Sequence, residues 1–153
     1  MLSEKELKVI ANLRQNSRES LTKISRRTGM PVSSIFEKLK KYKGEFIVKY
    51  TSLLDFNKLG FNVIVNSFIK IGQGQKKELF NYLINSPYVN NLTAISNKYD
   101  IFIETAFKNL KDLRYFNEKL TDFGIENKED FYVIEYLKRE GFLSNSDLVG
   151  FAK

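Results

Sequence analysis

Apolar residues recur in this chain at two spacings, and each spacing commits its stretch to one kind of backbone. Over residues 31–43, Val32, Ile35, Phe36, Leu39 and Tyr42 fall on one continuous stripe of a helix. The opposite face reads Ser33, Ser34, Glu37, Lys38, Lys40 and Lys41. Over residues 61–71 the period drops to two: Val63, Val65, Ile69 and Ile71 alternate with Ile64 and Phe68, which is a strand pattern. The chain therefore joins a helical part to a part that contains a sheet.

The helical part is punctuated by local chemistry. Ser3 and Glu6 have capping-box spacing, so a first helix starts there and runs to about Asn16, with Val9, Ile10, Ala11 and Leu13 on its apolar side. Ser20 can cap a second helix over 21–28, turning Leu21 and Ile24 inward and Lys23, Arg26 and Arg27 outward. Gly29 suits the left-handed position that ends it, and Pro31 is tolerated only in the first turn of the next helix. Helix, glycine turn and amphipathic helix is the pattern of a helix-turn-helix. Short Ser33 and Ser34 let the third helix approach base edges, and Glu37 can accept from a cytosine amino group with Lys38 beside it. Lys40 and Lys41, with Arg26 and Arg27 of the second helix, are placed to neutralise phosphates. A three-helix core with a charged outer face satisfies the same pattern. Gly44 ends the third helix, the β-rich stretch 46–54 resembles the start of a wing, and 55–60 is a short hinge.

Charge separates the two parts more sharply than hydropathy does. Residues 1–60 hold 13 of the 25 Lys and Arg but only 6 of the 18 Asp and Glu, so the whole net charge of +7 sits there. The remainder carries 12 of each and is neutral. A basic segment joined to a neutral one points to a polyanion-binding module, nucleic acid above all. Composition removes most catalysis: with 0 Cys and 0 His there is no thiol nucleophile, no Ser-His-Asp relay and no common metal ligand. No enzyme activity and no cofactor is expected. The N-terminal residues carry acids and no apolar signal core, and no stretch matches a membrane span, so the expectation is a cytoplasmic protein without a membrane partner.

The neutral part reads as a doubled βαβ. After the strand at 61–71, the loop 72–75 lacks the spacing of a phosphate-binding loop. A helix follows over 76–85, then strands over 89–96 and 99–107, a helix over 110–123 stopped by Gly124, and a strand over 129–138. The order βαββαβ is that of a ferredoxin-like sandwich, in which both helices cover one face of an antiparallel sheet. Its other face is expected to be apolar too, through Ile64, Phe68, Phe102, Ala106, Tyr132, Ile134 and Tyr136. A sheet apolar on both faces, in a chain too short to cover both, implies a partner sheet, most simply a homodimer. Asp100 is expected to order the 97–98 turn, Glu104 to be solvated, and 141–153 to fray.

This order of parts resembles the leucine-responsive regulator (Lrp/AsnC) family. The resemblance is carried by residues 13–20, 24–30 and 46–54, by Ser96-Asn97-Lys98-Tyr99-Asp100 and by Gly124-Ile125, and covers about residues 2–139. It implies an α+β chain with a winged helix-turn-helix domain at 1–54, a hinge at 55–60, a ferredoxin-like dimerisation and effector domain at 61–140 and a tail at 141–153. It further implies transcriptional control of the amino-acid-responsive kind, through double-stranded DNA as partner, homodimers and higher oligomers. An amino-acid effector is expected near Asn97, Lys98, Tyr99 and Asp100. The family's turn usually has glycine where this chain has Asn97, a residue that also adopts the left-handed conformation. Two other readings compete: a DNA-compacting architectural protein with weak sequence preference, and a decarboxylase on the same architecture. The second lacks its tools, since no His is present and only Arg114 and Arg139 supply guanidinium groups beyond residue 60.

Overall fold

The computed structural model describes residues 2–72 and 74–152 and divides into two compact units, Met1–Leu53 with Leu137–Lys153, and Leu54–Tyr136. Gln73 of the 72–75 loop and the side chain of Phe151 in the tail lie outside what is described. The first unit begins with α1 (Glu4–Gln15), whose capping box forms as its spacing requires: Ser3 accepts from the Glu6 amide and the Glu6 carboxylate accepts from the Ser3 amide. Next come α2 (Leu21–Thr28), capped by Ser20 and ended by Gly29 at φ 66°, and α3 (Val32–Tyr42), which starts directly after Pro31. Val9, Leu13, Ile24, Met30 and Ile35 close the core of these three helices, with Leu21, Leu39 and Ile47 packed against it.

The expected wing strand does not form. After Gly44 the chain turns back on the end of α3, with the Phe46 and Ile47 amides bonded to the Tyr42 carbonyl and a single bridge between Lys43 and Ile47. Residues 48–54 join no ladder. A strand is defined by its partner, and no second strand in this unit, among the described residues, offers an edge.

The tail does not fray. Val149 is buried against Leu7 and Ala11 of α1, with Leu2 and Leu143 around it, and a short 3-10 turn spans Val149–Ala152. Arg14 fixes the approach of this segment by bonding the carbonyls of Glu140 and Phe142 and pairing with the Glu140 carboxylate at 2.9 Å.

The second unit is a four-stranded antiparallel sheet in the order β2-β3-β1-β4, from β1 (Val63–Ile71), β2 (Val89–Ala94), β3 (Ile101–Phe107) and β4 (Ile125–Tyr132). The crossovers α4 (Lys76–Asn85) and α5 (Leu110–Leu120) lie on one face, where Leu79, Leu83, Leu113, Phe116 and Leu120 pack on Val65, Ile69, Ile101, Ile103 and Phe107. This is the ferredoxin-like arrangement. β4 runs four residues earlier than the alternation over 129–138 suggested and ends at Tyr132. Its register follows β1, with an irregularity at Lys70/Ile71 where the Gly72 amide donates to the Gly124 carbonyl at 3.1 Å. A Cβ on Gly72 would stand 2.5 Å from that oxygen, so glycine there serves close backbone approach.

That register corrects the assignment of sides. Tyr132 pairs with Val65, whose side chain belongs to the helix-covered core, and it lies beside Leu110, Leu113 and Arg114. The aromatic of β4 on the open face is Phe131, paired with Asn66. Ile134 and Tyr136 fall beyond the strand.

Candidate nucleic-acid interface

Which face of α3 is free follows from what holds the other. Ile35 and Tyr42 are buried, and the Tyr42 hydroxyl donates to Glu6 Oε1 at 2.8 Å. Lys38 Nζ reaches the same oxygen at 2.6 Å, so its ammonium is committed to α1 and does not stand on the outer face as the sequence suggested. The ion pair with Lys38, then the bonds from Ser3 and Tyr42, hold the Glu6 carboxyl well below the usual carboxylate range. Burial first, then the adjoining Glu6 carboxylate, push the Tyr42 hydroxyl well above its ordinary value. One carboxylate thus caps α1 and ties it to two points of α3.

The outward side of α3 carries two ridges. Ser33, Glu37 and Lys41 form one and are exposed; Val32, Phe36 and Lys40 form the other. Ser34 is half-buried at the flank. Lys40 bonds Glu37 at 3.3 Å. Val32 and Phe36 are 41% and 49% exposed, so the apolar stripe read from the sequence is wider than the core it faces, and only its Ile35–Leu39–Tyr42 side packs inward. On α2, Arg26 is exposed, while Arg27 bonds Asn12 Oδ1 at 2.9 Å and pairs with Glu19 at 3.3 Å. The structure therefore brings Ser33, Glu37, Lys40 and Lys41 together on one outer face, leaves Arg26 open on α2, and draws Lys38 and Arg27 into the helix-to-helix contacts.

On the open face of the sheet the Phe68 ring lies 5.3 Å from Phe102, 5.7 Å from Tyr99 and 5.8 Å from Phe131, a continuous aromatic patch. Ile64 shares this face by register and is buried. Ile134 is 97% exposed. Glu104, expected to be solvated, is only 8% exposed and accepts from Asn90 at 2.5 Å, Asn91 at 3.3 Å and the Tyr136 hydroxyl at 2.9 Å. Three donors compensate the burial of that carboxylate. Single-sequence reading had no signal for it, because its partners come from β2 and from beyond β4.

At the β2–β3 turn Asn97 takes φ 94°, the left-handed conformation that glycine would take at no cost. The Asp100 carboxylate bonds to β1 rather than to the 97–98 turn expected of it: Oδ2 accepts from the Ile71 amide at 2.8 Å and Oδ1 faces Lys70 at 3.4 Å. The Ile71 bond is the main reason its carboxyl titrates below the ordinary value. Lys98 pairs with Glu129 at 2.7 Å and lies 4.9 Å over the Tyr99 ring. The Glu129 bond raises the Lys98 ammonium, and the reciprocal bond lowers the Glu129 carboxyl. Tyr99 is buried between this pair and Phe68, so all four turn residues lie at one corner of the sheet.

No family model matches the chain. It is 24% identical over 140 residues to the helix-turn-helix transcriptional regulator FL11 of Pyrococcus furiosus, covering 90% of this chain and 93% of that one. It is 27% identical over 143 residues to an uncharacterized helix-turn-helix transcriptional regulator of Pyrococcus abyssi, covering 92% and 97%. Among solved structures it superposes on a Neisseria meningitidis transcriptional regulator in complex with L-Met with a TM-score of 0.83, at 17% identity over 91% of this chain and 94% of that one. On AsnC of E. coli the TM-score is 0.76, at 17% identity over 91% and 96%. No helix of the described residues is long and apolar enough to cross a membrane.

Proposed function

We propose that this chain, whose homologues are helix-turn-helix transcriptional regulators and whose fold is that of the Lrp/AsnC regulators, is a sequence-specific DNA-binding regulator that works as a homodimer. It acts in the cytoplasm without catalysis, through binding alone. The observation that carries the reading is the outer face of α3. There Ser33, Glu37, Lys40 and Lys41 stand together, in a segment holding the chain's entire net charge of +7. Short polar groups reach base edges, and the lysines at the C-terminal end meet phosphates.

The aromatic patch around Phe68 supports a two-fold contact between sheets, which would present two copies of α3 on one side of the duplex about one helical turn apart. The solved relative that carries L-Met supports an amino-acid effector here, and the Asn97–Asp100 corner is where we place it. A thermal-shift panel of the twenty amino acids tests that part, and silence across the panel refutes it.

Binding-site selection from random duplexes tests the main claim. Enrichment of a two-fold related site, bound at least about a thousandfold more tightly than random DNA, is expected. Binding of all duplexes with equal affinity would instead identify a DNA-compacting protein.

A further inference from the structure

Two apolar side chains stand in the middle of the surface just assigned to DNA. Val32 and Phe36 are 41% and 49% exposed one turn apart on α3, flanked by Ser33, Glu37 and Lys40. The core beneath is already filled by Ile35, Leu39 and Tyr42, so the two have no packing role to explain them. Phe36 is also held in place. Lys40 Nζ lies 4.4 Å from the ring centroid, and Glu37 restrains Lys40 from the other side at 3.3 Å. The result is an oriented apolar ridge inside a basic surface.

The ligand that fits such a surface is a polyanion with apolar groups at the depth a helix reaches. In the major groove one base alone carries such a group: the 5-methyl of thymine, which distinguishes a T·A pair where hydrogen-bonding edges leave the choice incomplete. We propose that Val32 and Phe36 read thymine methyl groups, with Phe36 the residue that sets specificity and Lys40 the residue that positions its ring. This rests on the DNA-binding reading above and adds to it the kind of base the helix prefers. The polar ridge, Ser33 and Glu37, reads a neighbouring position by hydrogen bonds.

The test replaces thymine by deoxyuracil, one position at a time, in the duplex obtained by selection. This removes a methyl group and leaves every hydrogen-bonding edge intact. At one or two thymines per half-site the unaltered protein should lose about fourfold in affinity, the worth of one buried methyl-sized group. Phe36→Ala should bind the thymine duplex as weakly as the unaltered protein binds the uracil one, and should be indifferent to the exchange. Phe36→Leu should keep the discrimination in part. Because Phe36 is exposed, the alanine variant should melt as the unaltered protein does. Unchanged affinity for every uracil duplex overturns the proposal and leaves DNA recognition intact, as does an alanine variant that still senses the methyl. Loss of self-association in Phe36→Ala would make the ridge a contact between copies and overturn it equally. Absence of any preferred duplex removes the reading on which it rests.

Discussion

Replacing Glu6 tests how α3 is held, because four hydrogen bonds converge on that carboxylate. Oε2 accepts from the Ser3 amide at 2.8 Å and the Ser3 hydroxyl at 2.7 Å; Oε1 accepts from Lys38 at 2.6 Å and Tyr42 at 2.8 Å. In Glu6→Ala the lost capping box costs about 1 kcal/mol. The Tyr42 hydroxyl, on a residue only 2% exposed, is left without its acceptor, at about 1–3 kcal/mol. Lys38, whose side chain is 39% exposed, turns to water and adds at most about 0.5 kcal/mol. The total is about 2–4 kcal/mol, read as earlier urea unfolding of the first unit and faster amide exchange in α1 and α3. The pH dependence has a definite sign. Folding depresses the Glu6 pKa from its ordinary 4.5, so below that value the unfolded chain binds more protons. The contribution is whole above about pH 5 and fades as pH falls further. Glu6→Gln should therefore lose stability at neutral pH and show a shallower decline in acid. An alanine variant within about 0.5 kcal/mol of the parent, or a glutamine variant with the parent's acid slope, refutes the reasoning.

Two further substitutions address the second unit. Phe68→Asp places a carboxylate among Tyr99, Phe102 and Phe131 and should convert a dimer at micromolar concentration into a monomer in sedimentation; an unchanged dimer would move the interface elsewhere. Gly72→Ala sets a methyl 2.5 Å from the Gly124 carbonyl and should cost about 1–3 kcal/mol in thermal melting, against which an unchanged midpoint would count.

What could be read from the sequence divides along the range of the interactions involved. α2 and α4 occupy the stretches their patterns marked, because Ser20, Gly29 and the Ser86-Pro87 stop act within a few residues of themselves. Asp100 acts at longer range, through its bonds to Lys70 and Ile71 of β1. The misreadings share a cause in distant partners. β4 is placed by its pairing with β1, and its own residues 125–130 are polar enough to hide it, so the pattern over 129–138 puts Tyr132 on the wrong face and gives no sign of Phe131. Lys38 looked free because Glu6, far away in sequence, captures it. Val32 and Phe36 looked buried because a periodic stripe shows its own width but not that of the core it meets. The 48–54 segment has strand composition but no edge to join.

The measurement that bears most directly on the central claim is a salt titration of affinity for the selected duplex and for random DNA, made on the parent, Lys41→Ala and Glu37→Ala. Both residues are exposed on the same ridge of α3, and the proposed reading gives Lys41 the phosphate backbone and Glu37 the bases. Lys41→Ala should weaken both duplexes alike and lower the salt slope by about one unit. Glu37→Ala should leave the slope unchanged for random DNA and shift discrimination at one base per half-site by about 1–3 kcal/mol. If the Glu37 variant selects and binds the same sequence as the parent, or if Lys41→Ala leaves the slope unchanged, α3 is not the element that reads DNA.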